Sequence, residues 1–181
     1  MVVGVPIEIK ENENRVSMTP YAVCTLVNDG HDVIIQESAG IKSGFSNDEY
    51  KENGARIVGT LDEIYNESDM IIKVKEPQEA ELSKIKKSQI IFTYFHFAAS
   101  RKLTDSIISS NCVAIAYETV QTENKTLPLL VPMSEIAGRL SVHNGAKCLE
   151  SNQGGRGILL SGSTGVEPAT VTIIGGGIVG Y

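Results

Sequence analysis

The sequence predicts an α/β protein built on a doubly wound parallel sheet of the Rossmann or flavodoxin-like kind. Short apolar strands alternate with helical segments through about the first 128 residues, which is the order expected of such a sheet. The strands are apolar on both faces, as strands covered by helices on both sides must be. Near the end of the chain, a further apolar run at 169–174 precedes a glycine-rich loop, Gly175–Gly180. We expect these residues to form the first strand and glycine loop of a second Rossmann domain.

Start and stop signals delimit the elements. Thr19-Pro20 is an N-cap followed by proline at the first helical position, and Gly30 ends that helix. Thr60 with Glu63 forms a capping box at the start of another helix. The predicted strands cover residues 2–7, 31–36, 56–58, 69–74, 89–96, 113–117 and 169–174. The predicted helices begin at residues 20, 47, 61, 79, 101 and 133, and a short paired segment is expected around 119–127.

Two prolines mark a change in pattern. Pro128 and Pro132 lie between the alternating segment and a longer predicted helix, 133–149. We therefore expect one domain over residues 1–130, carrying the chemistry, and a second region over 131–181. The second region holds the connecting helix and the start of the glycine-loop domain. The chain stops at Tyr181, immediately after that loop and on the first turn of the helix that the loop should open, so we expect a fragment of a longer protein.

Composition and charge exclude several classes of function. The chain has 16 basic and 22 acidic residues, a net charge of −6, and no basic patch, which argues against nucleic acid as a partner. Its apolar runs are too short to span a membrane, and no signal peptide opens the chain. The cysteines, Cys24, Cys112 and Cys148, are odd in number and far apart. They suit reduced thiols of a cytoplasmic protein rather than disulfides or a metal site.

Three side chains with useful charge follow successive strands. Arg15 follows the first strand, Lys75 follows the strand that ends at residue 74, and His96 ends the next one. The carboxyl ends of parallel strands share one edge, where ligands bind. Arginine offers a two-bond fork to a carboxylate, lysine a compact charge, and histidine a proton donor and acceptor near neutral pH. Each residue alone is more simply explained as solvated or structural, but their joint placement predicts a site for a small anionic substrate.

The glycine loop has the spacing of a dinucleotide fingerprint, Gly175-x-Gly177-x-x-Gly180, directly after a predicted strand. Such glycines let a pyrophosphate approach the start of a helix. The acidic residue that completes the fingerprint, about 20 positions further on, would lie beyond residue 181. A glycine-rich turn without a ligand is the alternative. Ser134-Glu135 can likewise be a helix cap with first-turn charge or a cofactor contact at the domain junction.

Seven motifs together resemble the N-terminal half of the alanine dehydrogenase family. The resemblance covers essentially the whole chain and is denser than the glycine loop alone. The motifs are Gly4-x-Pro6-x-Glu8, Arg15-Val16-x-x-Thr19-Pro20, Ile72-Lys73-Val74-Lys75-Glu76-Pro77, His96-x-Ala98-Ala99-Ser100-Arg101, Ala116-Tyr117-Glu118-Thr119-Val120-Gln121, Pro128-Leu129-Leu130-x-Pro132-Met133-Ser134-Glu135 and Gln153-Gly154-Gly155-Arg156-Gly157.

The resemblance implies reversible oxidative deamination of L-alanine to pyruvate and ammonia with NAD, by a cytoplasmic homo-oligomer that is a hexamer in the family. Arg15 and Lys75 match the family's substrate-binding residues, and His96 matches its proton donor and acceptor. The residues that match NAD contacts are Ser134, Gly175, Gly177, Ile178, Val179 and Gly180. The family's catalytic aspartate and the rest of its NAD domain are absent from these 181 residues, so we expect the fragment alone to be inactive.

Two other interpretations stay open at this point. The family's N-terminal domain is similar to the NAD-binding subunit of proton-translocating transhydrogenase, so the chain could belong to a transhydrogenase-like dinucleotide-binding module. The transhydrogenase relatives lack the histidine at position 96 and the second lysine, Lys75, which favours the dehydrogenase. A non-catalytic product of a truncated or split gene is the third interpretation.

Overall fold

The computed structural model describes all 181 residues and contains one six-stranded parallel sheet. The strands lie in the order β3-β2-β1-β4-β5-β6, so the predicted doubly wound sheet is confirmed. The order reverses between β1 and β4, which makes the carboxyl ends of these two strands the topological switch point. The strands are β1 (Val2–Val5), β2 (Asp32–Gln36), β3 (Arg56–Val58), β4 (Met70–Lys75), β5 (Ile90–Tyr94) and β6 (Val113–Ala116).

Five helices begin at the predicted residue, and the helix predicted to begin at residue 133 begins at Val131. The Thr19 hydroxyl accepts a hydrogen bond from the backbone N–H of Ala22, and Thr60 forms the predicted capping box with Glu63. Ser100 caps the helix that follows β5. The helices are α1 (Pro20–Asn28), α2 (Asn47–Glu52), α3 (Leu61–Glu67), α4 (Glu79–Leu82), α5 (Arg101–Ser110) and α6 (Val131–Leu149).

Two apolar clusters cover the two faces of the sheet. Val33 and Ile35 of β2 lie in one cluster and Ile34 lies in the other, because successive side chains of a strand point to opposite faces. Gly4 lets α3 approach β1 closely, since a Cβ atom at that position would lie 2.1 Å from the Ser68 hydroxyl oxygen. The two-sided burial explains why the central strands are apolar throughout.

The chain divides into two compact units, Met1–Val120 and Gln121–Tyr181. The first unit contains the whole sheet and helices α1 to α5. The second unit contains α6 and a long irregular segment. The boundary expected near residues 128–132 lies inside the second unit and stays a prediction.

Three predicted elements differ from the structure. Residues 169–174 form no strand and are exposed, with Ile174 97% accessible, because no neighbouring strand pairs with them. The helix predicted over 79–86 ends at Leu82. The pair predicted around 119–127 is a loop rather than two strands, closed by a hydrogen bond from the Thr122 N–H to the Thr126 carbonyl.

Candidate active site

The three predicted site residues lie at the carboxyl edge of the sheet, all within the first unit. Arg15 lies in the loop between β1 and α1, Lys75 is the last residue of β4, and His96 lies two residues beyond β5. Strands β1, β4 and β5 are consecutive in the sheet. The fold therefore places the three residues at one edge of the sheet around the switch point, as expected for residues that follow parallel strands.

Arg15 is held in a two-bond ion pair with Glu13. Its Nε donates to Glu13 Oε1 at 2.8 Å, and its Nη2 donates to Oε2 at 2.6 Å. The Arg15 backbone N–H also donates to Glu13 Oε1, at 2.9 Å. The Glu13 side chain is buried, while that of Arg15 is 48% exposed. The hydrogen bonds from Arg15 lower the pKa of Glu13 to about 2, against the opposing effect of burial.

Glu13 was missed by the sequence analysis. A glutamate two residues before an arginine in a loop carries no periodic signal, because that spacing pairs side chains only when the loop curls back on itself. Its role is clear from the geometry: it fixes the plane of the guanidinium. The pair shows Arg15 binding a carboxylate in the geometry that a carboxylate ligand would use.

Strand β4 is irregular just before Lys75. Ile72 pairs with Phe92 of β5, whereas Lys75 pairs with Tyr94, so three steps along β4 match two along β5. Such bulges redirect the side chains that follow them. The register places Lys75 and Tyr94 side by side at the end of the sheet.

A buried ionic network lies behind this edge. Lys73 Nζ is 2.8 Å from Glu81 Oε1 and 3.4 Å from Glu8 Oε2, and all three side chains are at most 3% exposed. Glu8 also accepts the backbone N–H of Val74 at 2.6 Å. Burial raises the pKa of Glu8, and Lys73 opposes that rise. Sequence reasoning missed this network because Lys73 lies within an apolar strand and its partners are 65 and 8 residues away.

Tyr94 connects the arginine to the histidine. The Tyr94 ring stacks on the His96 imidazole, with centroids 6.0 Å apart and planes inclined by 11°. Burial raises the pKa of Tyr94, while the positive charge of Arg15 opposes that rise. The Tyr94 ring therefore contacts the His96 imidazole and lies within the electrostatic influence of the Arg15 guanidinium. The sequence analysis did not single out Tyr94.

His96 has a strained backbone and an exposed side chain. Its φ and ψ are 50° and 44°, in the left-handed region. Its backbone N–H donates to Glu118 Oε1 at 2.7 Å, so a carboxylate does lie near His96, although 22 residues away in sequence. Backbone strain of this kind occurs where the surrounding structure fixes a functional side chain.

Two small cavities open at this edge. His96 lines a cavity of about 310 Å³ together with Glu76, Phe95 and Ser100. Arg15 lines another of about 220 Å³, together with Glu8 and Glu13. The structure thus brings Lys75 and Tyr94 together, while Arg15 and His96 line separate cavities.

The glycine loop lies in the second unit, near α6. The backbone N–H groups of Gly180 and Tyr181 both donate to the Gly177 carbonyl, which makes a single helical turn. A Cβ atom at Gly138 of α6 would lie 2.5 Å from the Val179 carbonyl oxygen, so α6 approaches the loop closely. Open space surrounds Gly176 and Gly177. Glu135 and Gly138 line the cleft beside the loop, whereas Ser134 does not.

The glycines fit the close approach of a pyrophosphate, because nothing stands within 4 Å of where side chains would begin at Gly176 and Gly177. The strand expected to precede the loop is not formed.

No cluster of three His, Cys, Asp or Glu side chains that could hold a metal is present. None of the helices is both long and apolar enough to cross a membrane.

Comparisons with known proteins agree on one family. The model for the N-terminal domain of alanine dehydrogenase/PNT matches residues 4–137, and that for the C-terminal domain matches residues 141–181. The chain is 51% identical to the alanine dehydrogenase of Mycolicibacterium smegmatis over all 181 residues, which are 49% of that protein. It is 51% identical to the alanine dehydrogenase of Methanococcus maripaludis, covering 99% of this chain and 48% of the relative.

Solved structures give the same result. An L-alanine dehydrogenase superposes with a TM-score of 0.92 at 50% identity, covering 99% of this chain and 50% of the other. A transhydrogenase from Sinorhizobium meliloti superposes with a TM-score of 0.72 at 23% identity over 81% of this chain and 44% of that one, a likeness of fold alone. The chain spans about half the length of the curated relatives it matches.

Proposed function

Because the chain belongs to the alanine dehydrogenase/PNT family, we propose that it is the substrate-binding half of an NAD-dependent alanine dehydrogenase. The reaction is the reversible oxidative deamination of L-alanine to pyruvate and ammonia. The observation that carries the proposal is the placement of Arg15, Lys75 and His96 after three consecutive strands at one edge of the sheet, with Tyr94 beside Lys75 and stacked on His96. A forked cation, a compact cation and an imidazole suit a small 2-oxo or 2-amino acid.

Each side chain has a role set by its chemistry. Arg15 binds the substrate carboxylate through its guanidinium, a group that already makes a two-bond carboxylate contact. Lys75 binds the carboxylate or carbonyl oxygen and withdraws charge from the carbonyl carbon. Tyr94 lies beside Lys75 in the sheet and stacks on the His96 imidazole, so its ring fixes the position of that imidazole.

His96 acts as the proton donor and acceptor. Loss of hydride from Cα of alanine leaves an iminium group, to which a water molecule adds. His96 takes a proton from that water and gives it to the nitrogen of the resulting carbinolamine. As the C–N bond breaks and ammonia leaves, the imidazole takes the remaining hydroxyl proton, which yields pyruvate. An exposed imidazole at the mouth of a cavity can exchange these protons with solvent.

The second unit would hold NAD, which accepts the hydride when bound. Gly175, Gly177 and Gly180 would leave room for the pyrophosphate, and Ile178 and Val179 would contact the dinucleotide. By the resemblance Ser134 of α6 would also contact NAD, although in the structure it is Glu135 and Gly138 that line the cleft beside the loop. The family's catalytic aspartate and the acidic ribose-binding residue are not among residues 1–181. We therefore expect these residues alone to bind NAD weakly and to lack dehydrogenase activity.

We also propose a cytoplasmic homo-oligomer, a hexamer as the resemblance implies. Three apolar side chains of α6 support association, because Ile136, Leu140 and Val142 are 47%, 51% and 64% exposed. Apolar side chains exposed along one helix mark surfaces that other segments or subunits cover.

The test is a hybrid protein in which residues 1–181 precede the part of the Mycolicibacterium smegmatis enzyme beyond the matched half. We expect this hybrid to oxidise NADH when pyruvate and ammonia are both present. Arg15→Ala or Lys75→Ala should raise KM for pyruvate about ten- to a hundredfold, the loss of a charge-assisted contact of about 1.5–3 kcal/mol.

Lys51→Ala is the matched control, since it removes an exposed cation of α2 that is paired only with Asp48. It should leave KM unchanged. Equal KM values in the hybrid and both site variants would refute the substrate contacts. A folded hybrid that oxidises NADH without pyruvate, or not at all, would favour the transhydrogenase-like or non-catalytic interpretation. Residues 1–181 assayed alone should show no turnover.

A further inference from the structure

The end of β4 lacks a strand partner on its β1 side. The pairing of β1 with β4 covers only Met70 and Ile71, so the following backbone groups need other partners. Two side chains of the β1–α1 loop supply them. The Ser17 hydroxyl donates to the Ile72 carbonyl at 2.8 Å, and the Glu8 carboxylate receives the next N–H groups. Side chains of this loop thus bond the backbone groups of β4 that β1 leaves unpaired.

Glu8 makes this contact with both carboxylate oxygens. Oε1 accepts a hydrogen bond from the Val74 backbone N–H at 2.6 Å, and Oε2 lies 3.4 Å from the backbone nitrogen of Lys75. These are the residues on which the β4 irregularity falls, between Ile72 and Lys75. The carboxylate is buried and held from behind by Lys73 at 3.4 Å. The backbone of Lys75 is therefore tied to one buried negative charge.

We infer that Glu8 is a positioning residue that fixes the backbone of Val74 and Lys75 and so directs the Lys75 ammonium into the substrate site. The inference rests on the proposed function for the role of Lys75, but the backbone anchor exists without it. No step of the reaction uses Glu8, and its side chain is only 3% exposed. A cation that must meet a small substrate has to be placed closely, because an error of about 1 Å can cost about a hundredfold in rate.

Glu81 provides a matched control. It lies in the same buried network and is closer to Lys73, at 2.8 Å, but it bonds to the Gln78 N–H and not to the end of β4. Glu8→Gln and Glu81→Gln each remove one of the two negative charges that lie beside Lys73, and each keeps the side-chain volume. In both variants the new amide N–H group faces groups that donate, but only in Glu8→Gln do those groups include the backbone N–H groups at the end of β4, those of Val74 and Lys75.

The first measurement is amide hydrogen exchange of residues 1–181, followed by NMR. In Glu8→Gln, exchange at Val74 and Lys75 should accelerate about tenfold relative to Ile71 of the same strand. In Glu81→Gln the same ratio should change less than twofold. The ratio to Ile71 removes any general loss of stability, and the comparison needs no ligand. Equal ratios in both variants would overturn the inference.

The second measurement is the kinetics of the hybrid protein. Glu8→Gln should raise KM for pyruvate about tenfold, whereas Glu81→Gln should not. An inactive parent hybrid would contradict the proposed function and leave the exchange result to decide on the anchor. If Glu8→Gln does not fold, Glu8→Asp keeps the charge but withdraws the carboxylate by one methylene. The same local acceleration is then expected, and its absence overturns the inference.

Discussion

Loss of the Glu13–Arg15 ion pair should lower the free energy of unfolding of the chain as the pH falls into the acid range. Glu13 has a pKa of about 2 in the folded protein instead of 4.5. A carboxyl group whose pKa is lowered by folding stabilises the folded state above its unfolded pKa, and that stability is lost as the pH falls toward the folded pKa. The expected window is therefore about pH 4.5 down to about 2.

The size of the effect follows from the shift and the exposure. A shift of 4.5 to about 2 corresponds to about 3 kcal/mol at about 1.4 kcal/mol per pH unit. Arg15 is 48% exposed, so solvent screening reduces the contribution to about 1–2 kcal/mol. Glu13→Gln should lower the free energy of unfolding by that amount at pH 7, and wild type and variant should converge near pH 2.

Urea unfolding followed by circular dichroism measures this, since the chain has no tryptophan. Lys51→Ala again serves as the control, because it breaks an exposed i,i+3 pair worth only a few tenths of a kcal/mol. A constant difference between wild type and Glu13→Gln from pH 7 to pH 2 would refute the ion pair as the cause. No difference at pH 7 would show that the pair contributes nothing to stability.

Three further substitutions test other parts of the account. Lys73→Met removes the cation from between two buried carboxylates and should cost about 3–5 kcal/mol in urea unfolding; a loss below 1 kcal/mol would mean that the carboxylates are not charged there. His96→Ala changes an exposed side chain, so stability should stay within about 0.5 kcal/mol, while turnover of the hybrid falls about 10²–10⁴-fold; lost stability with full turnover would make His96 structural. Gly4→Ala places a Cβ atom 2.1 Å from the Ser68 hydroxyl and should cost about 1–3 kcal/mol, seen as a lower Tm; an unchanged Tm would show that α3 can move away.

The sheet was predictable because local and global signals agree. Thr19-Pro20, Thr60 with Glu63, and Ser100 begin helices in the sequence pattern and in the structure. Apolar strands between them leave a parallel sheet as the arrangement that buries both faces. The placement of Arg15, Lys75 and His96 at one edge follows from the parallel direction of the strands that they follow.

The features that the sequence analysis missed or predicted wrongly depend on how the chain folds rather than on local sequence patterns. The segment 169–174 has the composition of a strand, but a strand forms only with a hydrogen-bonded neighbour. Glu13, Glu8 and Lys73 acquire their roles from loop conformation and a register shift, which no local pattern records. The carboxylate of Glu118 near His96 is likewise invisible in sequence.

The position of pyruvate in a crystal of the hybrid protein with NAD bound tests the central claim most directly. We predict that the pyruvate carboxylate lies about 2.7–2.9 Å from the guanidinium nitrogens of Arg15. The keto oxygen should lie about 2.6–3.2 Å from Lys75 Nζ or the His96 imidazole. Pyruvate bound elsewhere, with Arg15, Lys75 and His96 all out of contact, would contradict the assignment of this edge of the sheet as the substrate site.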